Sequence, residues 1–117
     1  IPQTQKGASP MFARILEFVP KMEKKEEFVR VIKNEVMPIL RKQTGFLEVL
    51  HFFPEITTEK ARFVTLWTEK KHFERYEKEW YPKVEAIVKP YLLTPPMSQF
   101  CTLETTLCEH FEKAVVA

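Results

Sequence analysis

Three short runs of this chain are apolar on both of the faces that a β-strand can present, and that constrains the fold more than any other feature. In residues 11–19 (MFARILEFV), Met11, Ala13 and Ile15 alternate with Phe12, Leu16 and Phe18. In residues 45–53 (GFLEVLHFF), Leu47, Val49 and Phe53 alternate with Phe46, Leu50 and Phe52, and in residues 61–68 (ARFVTLWT), Val64 and Leu66 oppose Phe63 and Trp67. Successive strand residues point to opposite sides of a sheet, so strands of this kind need a covering layer on each side. Burying each large apolar side chain is worth about 1.5–3 kcal/mol. A sheet left wet on one side would forfeit that and carry an exposed patch.

The segments between the strands supply one layer. Residues 21–43 carry Phe28, Ile32, Val36, Ile39 and Leu40 at helical spacing with charges between them, and stop before Gly45, a natural helix terminator. Pro38 lacks an N–H and predicts a bend near the last turn with a short separate helix beyond it. Residues 70–92 repeat the pattern, with Phe73, Tyr76, Trp80, Val84, Ile87 and Tyr91 at steps of three or four; Pro82 and Pro90 interrupt it and Thr94-Pro95-Pro96 ends it. Residues 54–60 have the polarity and length of a hairpin loop, and residues 98–108 (SQFCTLETTLC) read as a fourth strand. The order predicts an α+β fold of the ferredoxin-like βαββαβ type with a four-stranded antiparallel sheet. Two helices cover one face of that sheet, which leaves the other for a second copy of the chain.

Length and charge bound the rest. A chain of 117 residues suits one domain, read here as residues 11–108 between a polar leader (1–10) and a C-terminal tail (109–117). It is 44% hydrophobic and 29% charged, which suits a packed core and argues against disorder. The net charge is only +2, with acids and bases interleaved in runs 21–27 and 69–79, so no single-sign patch steers nucleic acid or an acidic membrane surface. No apolar run approaches the roughly 20 residues that span a bilayer. Cys101 and Cys108 fall seven apart in one expected strand, on opposite faces and roughly 23 Å from each other, beyond disulfide reach. With only His110 beside them no metal site is expected, and a reducing cytoplasm is the default compartment. The start at Ile1 reads as a processed or trimmed product with Met11 as a natural beginning of the fold, and a removed signal peptide keeps secretion open.

Two motifs carry a family likeness. Gly45-Phe46 opens the second strand after an acidic, proline-containing helix, and Leu66-Trp67 closes the third strand just before the amphipathic second helix. In order and spacing these resemble the antibiotic biosynthesis monooxygenase (ABM) family, over about residues 11–107. The resemblance implies a homodimer packed sheet to sheet with its helices outside, a dimeric α+β barrel that supplies the missing layer. It also implies cofactor-free oxidation of polyketide phenols or quinols. A deprotonated, electron-rich aromatic can itself reduce dioxygen, so the protein need supply only a dry pocket, a proton acceptor and donors for the phenolate. No cofactor and no metal are then required. Haem-degrading relatives combine a strand Asn, the strand Trp and a helix His. Here the helix after Trp67 has no His beyond His72 at its start and the first strand has no Asn, so the usual haem ligand is missing.

The candidate catalytic residues are His51, Trp67 and Arg14. Trp67 matches the strand-terminal tryptophan of the family; its indole can stack on an aromatic ligand and donate a hydrogen bond, or serve simply as a core aromatic. His51, among Leu47, Val49 and Phe53, is placed for a base of near-neutral pKa or for a structural role. Arg14, between Phe12 and Leu16 in the alternation, suits a substrate anion or an ion pair with Glu48 or Glu104. Phe63, Thr65 and Tyr76 are the expected substrate-lining residues, whereas His72 is expected on the surface. A small aromatic is the expected ligand. Two functions follow: a cofactor-independent monooxygenase acting on an electron-rich phenol or quinol, or a non-catalytic dimeric module that binds a small ligand. The effector domain of a transcription regulator shares the βαββαβ pattern but needs a DNA-binding helical domain, which this chain lacks.

Overall fold

The computed structural model describes residues 11–107; the expected leader and tail, with Cys108 and His110, lie outside the described residues. Strand β1 (Met11–Phe18) is followed by a 3₁₀ turn (Met22–Lys24), helix α1 (Lys25–Val31), a wide π turn (Ile32–Val36) and helix α2 (Met37–Arg41). Strands β2 (Phe46–Phe52) and β3 (Ala61–Trp67) come next, then helices α3 (Lys70–Glu79) and α4 (Tyr81–Val88), a 3₁₀ turn (Lys89–Tyr91) and strand β4 (Met97–Leu103). The four strands pair antiparallel in the order β2-β3-β1-β4. This is the βαββαβ arrangement expected from the sequence.

Proline sets the interruptions in both helical segments. Pro38 has no N–H to offer the Asn34 carbonyl, and its ring would press on that group. The chain widens just upstream instead, where the Met37 N–H reaches back to the carbonyl of Ile32. The break therefore falls one turn earlier than the position of Pro38 suggests. In the second segment the helix stops at Trp80 (φ −124°) and restarts with Pro82 in its first turn, where a missing N–H costs nothing. The restart disturbs the stripe only at the break itself, since Val84 and Tyr91 beyond it stay buried. Trp80, expected on the apolar stripe, is turned outward at 39% exposure, while Tyr81 turns in.

Register determines which side chains face the helices. Phe12, Arg14, Leu16 and Phe18 of β1 lie opposite Trp67, Thr65, Phe63 and Ala61 of β3, and Val49 and His51 of β2 lie opposite Thr65 and Phe63. A bulge between Phe46 and Glu48 corrects the simple alternation. It swings Phe46 onto the helix side, edge-on to Trp67 at 5.6 Å, and leaves Leu47 exposed. The core on this side is aromatic: Phe28 stacks on Tyr91 at 5.0 Å, Phe18 meets Phe63 edge-on at 4.8 Å, and Trp67 leans on Tyr76 at 5.3 Å. The opposite face carries Ile15, Val64, Leu50, Phe52 and Met97, of which Leu50, Phe52 and Met97 are exposed.

The fourth strand is shorter than its sequence suggests. Among the described residues the ladder with β1 runs to the pair Met11–Leu103, and beyond it the chain turns into Thr105–Leu107. The expected Cys101–Cys108 separation falls on a residue outside the described ones; Cys101 itself is free and exposed.

Gly45 holds the α2–β2 turn at φ +83°, the region where a side chain is strained. A Cβ there would also overlap the ring of His72, which is half-buried against this turn rather than on the surface. Gly45→Ala is expected to cost at least about 1 kcal/mol, read as a lower urea midpoint. Adding His72→Ala should recover the steric part and leave the backbone part.

Candidate functional site

Arg14 sits at the centre of the helix-covered face and is 2% exposed. A guanidinium stays protonated in a protein, so the surroundings must accommodate a cation. Two aromatic faces do so, with the guanidinium carbon 4.6 Å from the Tyr81 ring centroid and 5.0 Å from that of Phe73. Glu77 approaches Nη1 to 3.8 Å, an ion-pair distance too long for a hydrogen bond. This replaces the Glu48 or Glu104 partner expected from the sequence. Glu48 points to the other side of the sheet and Glu104 lies beyond the end of β4, whereas Glu77 is one helical turn from Phe73 above the strand. Among the described residues Nε and Nη1 have no hydrogen-bond partner, nor has the hydroxyl of Thr65, the residue directly opposite Arg14 on β3. Buried donors left unpaired are costly, on the order of 1–3 kcal/mol each.

These unpaired groups border a cavity of about 50 Å³ between the sheet and the helices. Its polar lining is Arg14, Thr65, His51, Tyr76 and Tyr81, and the remainder is aliphatic or aromatic, including Phe63, Ile32, Val36 and Val84. Burial lowers the Arg14 pKa from its ordinary value, opposed by the negative potential of Tyr81, Tyr76, Glu77 and Glu85. Burial also pushes up the Tyr76 and Tyr81 phenols, partly offset by the Arg14 charge. Both therefore keep their protons at neutral pH and act as donors, not bases. His51 stands edge-on to Phe63 at 4.4 Å, and burial lowers its pKa below 6.5. Its imidazole is thus neutral at pH 7 and free to accept a proton. From the register, His51 lies two strands over and two residues along from Arg14, roughly 12 Å between Cα atoms by sheet spacings.

Five of the six residues singled out from the sequence, His51, Arg14, Phe63, Thr65 and Tyr76, line this one cavity. Trp67 does not. It is fully buried beside the cavity, packed against Phe46, Phe73 and Tyr76, with its indole N–H unpaired. Tyr81 was missed because it lies out of phase with the stripe through Phe73, Tyr76 and Trp80. Pro82 one residue later is the signal that the helix breaks at this point. Among the described residues no group of three or more His, Cys, Asp or Glu side chains is placed to hold a metal ion, and no helix is long and apolar enough to cross a membrane.

A βαββαβ sheet with helices on one face and a mostly apolar chamber beneath them defines a ferredoxin-like α+β fold. Solved structures place it further. A monooxygenase from the gene ActVA-Orf6 of Streptomyces coelicolor, solved with the ligand Nanaomycin D, superposes with a TM-score of 0.63 at 16% identity, over 86% of this chain and 93% of that one. A Bordetella bronchiseptica protein, named as a candidate antibiotic biosynthesis monooxygenase, reaches 0.68 at 12% identity, over 79% and 95%. A conserved protein of Methanosarcina mazei Go1 reaches 0.67 at 12%, over 83% and 96%. No family model and no curated protein matches the chain. The chain has the fold of the antibiotic biosynthesis monooxygenases.

Two outcomes follow from the electrostatics. Arg14→Met keeps a long side chain and removes a buried charge with unpaired donors, so thermal stability should stay level or rise. A loss of several kcal/mol would show that Arg14 is a structural anchor. For His51 the folded pKa is lowered, so the unfolded chain takes up a proton below pH 6.5 that the folded chain refuses. The stability His51 contributes is present above pH 6.5 and is lost as pH falls from there through the folded value. The urea midpoint should fall between pH 7 and 5.5, and less steeply in His51→Phe.

Proposed function

We propose that this protein is a cofactor-independent monooxygenase that oxidises a small electron-rich aromatic, a phenol or quinol, with dioxygen. The observation that carries the reading is the buried Arg14 guanidinium, whose unpaired Nε and Nη1 border a chamber otherwise walled by apolar side chains. An arrangement that spends folding free energy on unpaired donors suits a ligand that supplies acceptors. A phenolate or quinone oxygen does so, held by Arg14 and Thr65 while the ring packs against Phe63 and the aliphatic walls.

The chemistry assigned to the residues is modest. Neutral His51 accepts the proton of a substrate hydroxyl at its end of the chamber, and the Arg14 cation stabilises the negative charge left on the ring system. The electron-rich anion passes electrons to dioxygen. One oxygen atom bonds to the activated ring carbon, the other leaves as water with two substrate hydrogens, and the phenol becomes a quinone. Tyr76 and Tyr81, both protonated, are available as donors to the oxygen that departs. The fold likeness to a monooxygenase solved with Nanaomycin D supports this reading. The uncovered apolar face supports a homodimer, in which Leu50, Phe52 and Met97 pack against a second copy. The second reading, a non-catalytic dimeric binding module, uses the same chamber and differs only in whether oxygen is consumed.

Oxygen uptake with a panel of naphthols, anthrones and quinols tests the activity. His51→Ala should lower turnover at pH 7 by about 100-fold or more, with partial recovery at higher pH as the substrate ionises unaided. No uptake above buffer from protein that binds the panel would leave the binding module. Uptake indifferent to His51→Ala would remove His51 as the base. Light scattering after gel filtration should give twice the 13.9 kDa chain mass, and a monomer at micromolar concentration would remove the barrel.

A further inference from the structure

The chamber is too small to be the whole ligand site. Its 50 Å³ accommodates a few water molecules, whereas sites for small organic ligands run to about 300–1,000 Å³. A surface groove of about 320 Å³ lies beside it, between the first helical segment and the edge strand β2. Chamber and groove share three lining residues, Ile32, Val49 and His51, so each of these is a wall between the two spaces. Ile32 opens the π turn, where the helix departs from regular hydrogen bonding. On the outer side the groove is lined by Val29, Lys33, Met37 and Phe53, and the Lys25 ammonium sits 5.0 Å from the Phe53 ring centroid.

We infer that chamber and groove are two halves of one site, and that the substrate is elongated: a polar head on Arg14 and Thr65, a flat apolar body passing Ile32 and His51, and an outer end in the groove bearing an acceptor or an anionic group beside Lys33. This rests on the proposed chamber site and specifies its substrate class. The Arg14 and His51 Cα atoms lie roughly 12 Å apart across the sheet, longer than one aromatic ring, so a ligand whose head meets Arg14 needs more than one ring to pass His51 and place its next substituent in the groove. Charge agrees with this direction. The groove rim carries the Lys33 and Lys25 ammonium groups, which attract an anionic outer end. A second groove of about 590 Å³ meets the chamber at Leu92 and Pro96, but it is lined by Glu85 as well as Lys89, and it bypasses His51.

The test uses three probes with one head and increasing length: phenol, 4-phenylphenol and 4′-hydroxybiphenyl-4-carboxylate, titrated by NMR shift perturbation and calorimetry against the full chain. Affinity should rise at least tenfold on adding the second ring and rise again on adding the carboxylate. Val29→Trp, at a 42% exposed position in the groove, should abolish the gain from the second ring without changing phenol binding. Lys33→Glu should weaken only the carboxylate probe, by fivefold or more. Three probes of equal affinity, or gains untouched by both variants, would overturn the two-part site while leaving the chamber reading intact. So would loss of the second-ring gain in Ala86→Trp, which fills the other groove, with the gain retained in Val29→Trp. Absence of binding by all three probes, phenol included, would remove the chamber reading and this inference together.

Discussion

A permanently charged side chain placed on the core side of a central strand is the condition to which much of this molecule is fitted. Arg14 cannot shed its charge, and β1 is flanked by β3 and β4, so the guanidinium cannot reach water along the sheet. The protein answers with aromatic faces from two helices, Phe73 of α3 and Tyr81 of α4, and a carboxylate at ion-pair distance. It does not complete the hydrogen bonds. The same cation opposes the burial that otherwise raises the neighbouring tyrosine pKa values. A buried cation with this much aromatic support and so few hydrogen-bond partners among the described residues is the observation on which the proposed ligand site rests.

The helix break at Trp80 belongs to that same arrangement. Had the second helix run unbroken, the stripe through Phe73 and Tyr76 would have continued to Trp80, and Tyr81 would have rotated away from Arg14. Pro82 interrupts the regular ladder and leaves Tyr81 beside Arg14, while Val84 and Tyr91 keep their places in the core. In the first helical segment the widened turn upstream of Pro38 lies over the wall between chamber and groove. In both segments a proline governs what faces the cavity, through the local cost of a missing N–H and a ring that cannot sit against the preceding turn.

The two faces of the sheet divide the tasks. The helix side holds the aromatic core, the charge and the neutral histidine, whereas the opposite side carries aliphatic and aromatic residues with the exposed Glu17–Arg62 ion pair at 2.7 Å among them. Exposed pairs of this kind contribute little to stability, about 0–1 kcal/mol. The apolar area of that face is what supports the proposed homodimer, while the chemistry proposed for the protein rests on the other.

The sequence by itself determined the element order, the βαββαβ class, the sharing of one strand face by Val49 and His51, and the proline interruptions; which face meets the helices was decided by the tertiary structure. The former depend on local rules: period two, period 3.6, and the missing N–H of proline. It also marked Arg14 and His51 as polar groups in apolar strands. Tertiary structure decided what local rules do not reach. The bulge at Leu47 moved Phe46 to the core because the register of β2 is set by pairing with β3. β4 ran only to Leu103, where the chain turns into Thr105–Leu107. Glu77 became the partner of Arg14, and Tyr81 replaced Trp80 beside it, because side-chain directions at a helix break depend on how the two halves pack. Trp67 was sealed behind the cavity rather than opened to it by the aromatic rings that close around it from α3 and β2. Periodicity assigns a side chain to a face, but only the packing of neighbouring elements determines whether that face meets a void, a charge or another ring.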